Sequence, residues 1–189
     1  ATAAVKLGEE GVVDAVVGCP QSETAINQAG IAFSGYPPLI ADLTETPRDQ
    51  VFMMLAASGL RITHCTLHES VATAIGRLTP DLVVAAARAT DAALKRLGIA
   101  KPRIAICGIN PHAGEDGAMG TEDRDIVAPA VEALRRDGID AFGPLPPDTA
   151  FTSRARKGYD AAICMYHDQG LIPLKTLDVD GGVNITLGL

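Results

Sequence analysis

Short runs of apolar and β-branched residues recur along this chain, separated by helix-length amphipathic stretches, and that alternation leaves few folds open. The runs cover residues 12–17 (VVDAVV), 51–56, 60–67, 103–107 and 161–165, most of them bounded by Gly, Pro or polar residues. Such runs predict strands buried on both faces. The clearest helical pattern spans residues 80–97: Thr79 stands as N-cap, Pro80 at the first helical position and Asp81 in the first turn. Lys95 and Arg96 lie in the last turn, and Gly98 stops the helix. A second helix is predicted over 122–137, with Ile126, Val127, Ala130, Val131 and Leu134 on one face. Strands alternating with helices of this length predict an α/β fold, a largely parallel sheet with helices on both faces.

In such a sheet ligands bind beyond the carboxyl ends of the strands. Three of the four histidines fall just after predicted strands: His68 in CTLHES, His112 in GINPHAGEDG and His167 in CMYHDQG. All three are therefore expected at one sheet edge. Neutral imidazole is the commonest metal ligand, and three imidazoles with open positions make a catalytic metal site; three solvated loop histidines are the plain alternative. The fourth, His64, lies inside the predicted 60–67 strand and reads as a satisfied core histidine.

Other residues fit around that site. Gly114, Gly117 and Gly120 precede a helix and look like a phosphate cradle, but Glu122, Asp123 and Asp125 load that helix start with negative charge and disfavour an anion. The loop is read as a site wall, with Glu115 and Asp116 as hydrogen-bond partners for a ligand or histidine. Asp148, in the proline-stiffened GPLPPDTAF, is a candidate to orient a histidine or a reacting hydroxyl, or else a simple helix cap. Asp168 adjoins His167 and is a candidate for the same role. Lys175 reads either as a surface lysine on a strand or as a cation that anchors an anionic substrate and assists proton transfer.

A net charge of −7, with no run of like charges, gives no footprint for nucleic acid or anionic membrane. Small-molecule partners are expected, and the absence of a long apolar span makes cytoplasm the default location. Cys19, Cys65, Cys107 and Cys164 are scattered without CxxC spacing and are expected to be free buried thiols. The chain starts in what reads as the last turns of a helix and stops in the strand-like VNITLGL, so a fragment of a longer protein is expected.

The strings GINPHAGEDGAMGTED, GPLPPDTAF, MYHDQGLIPLK and GVNITLGL together resemble the 4-hydroxythreonine-4-phosphate dehydrogenase family, across essentially the whole chain. That resemblance implies NAD-dependent oxidation of a secondary hydroxyl followed by decarboxylation, NADP being the other nicotinamide cofactor to consider. It also implies a divalent metal (Zn, Co, Mn or Mg) held by His68, His112 and His167. Lys175 and Asn184 would contact substrate. The implied fold is like that of isocitrate and isopropylmalate dehydrogenases, a homodimer with active sites formed by both subunits. Residues 1–189 would be one region of a longer two-lobed chain. Where the biosynthetic enzymes have a Gly-His-Thr string, this chain has Gly35, Tyr36 and Pro37, so two polar substrate contacts are lost and Tyr36 presents an aromatic surface instead. CPQSETAINQAGIAFSGYP and LRITHCTLHES look like the terephthalate dihydrodiol dehydrogenase branch, which oxidises a cyclic cis-diol dicarboxylate. A metal-dependent hydrolase or lyase without NAD, and a non-catalytic truncated relative, are the competing readings.

Overall fold

The computed structural model describes residues 1–33 and 35–189, which divide into two compact units. The first, Ala1–Val51 together with Leu189, carries helices α1 (Thr2–Glu9), α2 (Glu23–Gln28) and α3 (Tyr36–Leu43). Residues 12–17, expected as a strand, form no regular element, and Val17 is 91% exposed. A β-branched run becomes a strand only where a neighbour supplies ladder hydrogen bonds and a surface to pack on, and none pairs with it among the described residues. Cys19, expected buried, is exposed in the same stretch.

The second unit, Phe52–Gly188, is built on a six-stranded sheet. Its strands are β1 (Phe52–Ala57), β2 (Leu60–His64), β3 (Arg103–Cys107), β4 (Asp140–Leu145), β5 (Ala161–Cys164) and β6 (Val183–Leu187), in the order β4-β3-β5-β2-β1-β6. The four strands β4, β3, β5 and β2 are parallel, whereas β1 runs antiparallel to both β2 and β6. β1 turns into β2 through Ser58 and Gly59, both at positive φ, as the tightest hairpins require.

Because successive side chains in a strand point to opposite faces, each central strand feeds two cores. Ile104, Ile106, Ile163 and Met165 pack on one face with Val83 and Ala87 of α5 (Pro80–Arg96) and Val131 and Leu134 of α6 (Ala128–Arg136). Ala105, Cys107, Ala162 and Cys164 pack on the other with Leu171 and Leu174 of α8 (His167–Leu177). The remaining helices of this unit are the short α4 (Val71–Arg77) and α7 (Pro147–Ala150).

Local chemistry explains where these helices begin. The Thr79 hydroxyl accepts from the Leu82 amide at 3.2 Å to open α5, and the Ser70 hydroxyl accepts from the Thr73 amide at 3.1 Å to open α4. The helix expected over 122–137 is present, but its first part, Asp123–Val127, is a π-helical turn before α6 proper. Leu134 is fully buried at the α6–sheet contact. Leu134→Ala is therefore expected to cost about 2–5 kcal/mol, read as a lower urea midpoint with an unchanged slope.

Candidate functional site

The carboxyl ends of the parallel strands β2, β3 and β5 lie side by side, and each expected metal histidine follows one of them. His167 is the first residue of α8, directly beyond β5, and His68 lies in the turn beyond β2. Their ring centroids are 5.2 Å apart. Two imidazoles sharing one tetrahedral ion through bonds of about 2.0–2.1 Å have centroids separated by roughly this distance. The Nδ1 of His167 lies 2.6 Å from Oδ1 of Asp168. A carboxylate can only accept, so this contact places a proton on Nδ1, and in the neutral ring it is Nε2 that keeps the lone pair.

His64 is not the satisfied mid-strand residue that the sequence suggested. β2 ends at His64 rather than continuing to residue 67, because only the Cys65 amide, bonded to the Cys164 carbonyl at 2.8 Å, carries the ladder further. The imidazole thus sits at the site edge, its centroid 6.3 Å from that of His167. Nδ1 makes a long contact of 3.5 Å with the Met53 carbonyl, while Nε2 is buried with no hydrogen-bond partner. Burial pushes its pKa down to about 4, so the ring is neutral near pH 7. Donation from Nδ1 to a carbonyl leaves Nε2 as a bare lone pair, the tautomer that metal-ligating histidines adopt. The signal that points to His64 is its place at the last position of a parallel strand.

His112 stands apart from this group. It is exposed in Pro111–Gly117, where His112, Ala113, Gly114, Glu115 and Asp116 all have positive φ, from 41° to 82°. Each non-glycine residue held there costs roughly 1 kcal/mol or more, so the turn needs firm anchoring. Asp123 supplies part of it: only 2% exposed, it accepts from the Ile109 amide at 2.7 Å and from the Asn110 amide at 2.9 Å. From the sequence alone Asp123 is expected only as negative charge at a helix start. Among the described residues, no group of three or more His, Cys, Asp or Glu side chains is gathered closely enough to hold a metal ion.

The other candidates distribute as follows. Lys175 is on α8, not on a strand, and is exposed; with His167, Asp168 and Leu171 it lines a shallow depression of about 350 Å³. A second depression, of about 150 Å³, is lined by His68, Glu69 and Tyr166 and meets the first at His167 and Asp168. Asp148 is exposed on α7, which packs against the turn that carries His112. Glu115 and Asp116 hydrogen-bond no histidine among the described residues through their side chains. Asn184 is exposed on β6, paired in register with Leu55 and so two strands beyond β2. In the first unit, the Tyr36 hydroxyl donates to the Cys19 carbonyl at 2.8 Å and its ring meets Phe33 edge to face. The three cysteines of the second unit are buried and free, as expected. No described helix is long and apolar enough to cross a membrane.

The profile of the pyridoxal phosphate biosynthetic protein PdxA family matches residues 1–189. The chain belongs to the PdxA family. Within it, the chain is 52% identical over 191 residues to 4-hydroxythreonine-4-phosphate dehydrogenase of Maricaulis maris, an alignment covering 98% of this chain and 56% of that protein. It is 50% identical over 188 residues to 1,2-dihydroxy-3,5-cyclohexadiene-1,4-dicarboxylate dehydrogenase of a Comamonas species, covering 100% of this chain and 59% of that protein. The crystal structure of 4-hydroxythreonine-4-phosphate dehydrogenase from Klebsiella pneumoniae superposes with a TM-score of 0.90 at 42% identity, over 100% of this chain and 57% of that one. The chain thus spans a little over half the length of these PdxA-family proteins.

Proposed function

We propose that this chain carries the catalytic edge of an NAD-dependent, divalent-metal-assisted dehydrogenase. It would oxidise a secondary hydroxyl with ensuing decarboxylation, on 4-hydroxythreonine 4-phosphate or a related hydroxy acid. The carrying observation is the buried, neutral and unpartnered Nε2 of His64 beside His167, in a chain whose relatives are named as dehydrogenases. A buried nitrogen lone pair without a donor costs free energy unless something occupies it, and a divalent cation does so.

His64 and His167 would hold the ion, with His112 as third ligand, contributed by the second subunit of a homodimer whose active sites are shared. Such a fold resembles that of isocitrate and isopropylmalate dehydrogenases, and the cytoplasm is its expected location. The ion would lower the pKa of a substrate hydroxyl and withdraw electron density from the carbonyl formed, while the nicotinamide accepts hydride. Asp168 keeps the His167 proton on Nδ1, so that Nε2 faces the ligand side. Lys175, two turns further along α8 and in no ion pair among the described residues, would receive a carboxylate or phosphate and assist proton transfer. Asp148 would orient the reacting hydroxyl from beside the His112 turn, and Asn184 would contact substrate.

Two observations keep second readings in place. His68 is the nearer ring to His167, and it replaces His64 as ligand if the Met53 contact reflects core packing alone. The experiment is metal analysis of purified variants: His64→Ala is expected to lose the ion while His68→Ala retains it, and the reverse result assigns the site to His68. As to substrate, the Tyr36 hydroxyl is already engaged by the Cys19 carbonyl and Pro37 has no amide proton, which favours a ring over a small polar chain there. A panel of 4-hydroxythreonine 4-phosphate and cyclic cis-dihydrodiol carboxylates, followed by NADH absorbance, decides between the branches. Metal-dependent turnover of a substrate without NADH would instead mark a hydrolase or lyase, and no binding of NAD or metal a non-catalytic relative.

A further inference from the structure

Three strand ends precede the candidate histidines, and all three are tied together at one residue, Met165. The Met165 carbonyl, just past β5, accepts from the Thr66 hydroxyl at 2.8 Å and so binds the end of β2. The Met165 amide donates to Oε1 of Gln169 at 2.7 Å, and Nε2 of Gln169 donates to the Gly108 carbonyl, at the end of β3, also at 2.7 Å. Gln169 is 8% exposed, on the first turn of α8, two residues after His167. Among the described residues it makes the one side-chain hydrogen bond from α8 to the end of β3.

The two partners fix the orientation of this amide without ambiguity. A backbone N–H can only donate and a carbonyl can only accept, so Oε1 must face Met165 and Nε2 must face Gly108. Glutamine alone among side chains of this length offers a neutral acceptor and a donor together. A carboxylate would place charge against the Gly108 carbonyl, and an aliphatic chain would orphan both backbone groups.

We propose that Gln169 is a positioning residue for the shared metal sites: it fixes the first turn of α8, which presents His167 to one site, and the base of the Gly108–Asn110 segment leading into the turn that presents His112 to the site of the second subunit. Asp123 grips the amides of that segment from one side and Gln169 grips its first carbonyl from the other. The left-handed turn that presents His112 is thereby anchored at its base to the helix that presents His167. The inference rests on the metal reading above, and its test separates the two.

Cobalt(II) is the probe, because its visible absorption reports ligand geometry as well as occupancy. In the intact protein, Gln169→Met and Gln169→Glu are expected to bind cobalt about 10- to 100-fold more weakly than the parent, with a shifted absorption envelope. Val131→Ala, which trims the core on the far face of the sheet, serves as control for general loosening and is expected to keep the parental affinity and spectrum. Hydrogen exchange supplies a readout that needs no metal: the Ile109 and Asn110 amides are expected to exchange faster in Gln169→Met while α5 keeps its protection. Parental cobalt binding and exchange in both Gln169 variants would overturn the positioning role alone. Equal loss of affinity in Val131→Ala would also overturn it. Failure of the parent protein to bind cobalt would overturn the metal reading, and the positioning role with it.

Discussion

His167→Ala is expected to lose the bound metal ion and dehydrogenase turnover together, with the fold retained. The side chain projects from the first position of α8 and is 30% exposed, so its removal opens no core cavity. Its bond to Asp168, a carboxylate 65% exposed, is in the range where surface pairs contribute about 0–1 kcal/mol. The stability loss should therefore stay near or below about 1 kcal/mol, small enough for the variant to be purified and assayed. The functional loss should be far larger. Removing a residue that merely orients a metal ligand costs about 10- to 100-fold in affinity, and removing a ligand itself exceeds that. His167 is also where the two surface depressions meet, and it is the ring close to both His64 and His68, so no neighbouring imidazole can take its place. The checks are metal content by mass spectrometry, NADH formation, and an unchanged far-ultraviolet spectrum. A variant that keeps stoichiometric metal would remove His167 from the site and with it the central element of the proposed function.

Much of this edge was legible in the sequence, because the relevant signals are local. Thr79, Pro80 and Gly98 delimit α5, and the short runs ending at Cys107 and near Cys164 are strands whose carboxyl ends the histidines follow. What was not legible depends on partners distant in the chain. β4 has no counterpart among the expected runs, since Gly143 and Pro144 interrupt its short apolar stretch; in the fold, Gly143 has φ +145° and a Cβ there would run into the Ile106 carbonyl of β3, so glycine is what lets the two strands approach. Residues 12–17 have the composition of a strand and no neighbour to complete a ladder. The position of His64 turned on where β2 stops, which the pairing with β5 decides and hydropathy does not. Asp123 and Gln169 act through backbone groups 13 to 61 residues away, and no periodicity records such bonds.

Gly170→Ala provides the sharpest test of how α8 is seated behind the histidines. Taken as a helix residue, Gly170 should gain about 1 kcal/mol of stability on conversion to alanine, since glycine is the poorest ordinary helix former. Its surroundings oppose this. A Cβ built on Gly170 would lie 2.5 Å from Nε2 of His64, 2.6 Å from Cγ2 of Ile62 and 3.0 Å from Sγ of Cys164. Those atoms belong to side chains of β2 and β5 at the centre of the sheet, buried and hemmed in on all sides, so none is a flexible end that can swing away. Forcing a methyl group into a packed core costs about 1–3 kcal/mol, and three simultaneous contacts at these distances place the cost at the upper end or beyond. Overpacking therefore wins over propensity, and a net loss of about 2 kcal/mol is expected in urea unfolding. The same displacement moves the His64 imidazole or lifts the start of α8 away from the sheet, and either shift changes the His64–His167 separation. Metal affinity should consequently fall in the folded variant, beyond what the lower stability explains. A gain in stability by the amount that propensity predicts would mean that α8 rides further from β2 and that Gly170 is not packed against the side chains of Ile62, His64 and Cys164. Parental metal affinity in a clearly destabilised Gly170→Ala would instead separate His64 from the metal and leave His68 and His167 as the pair.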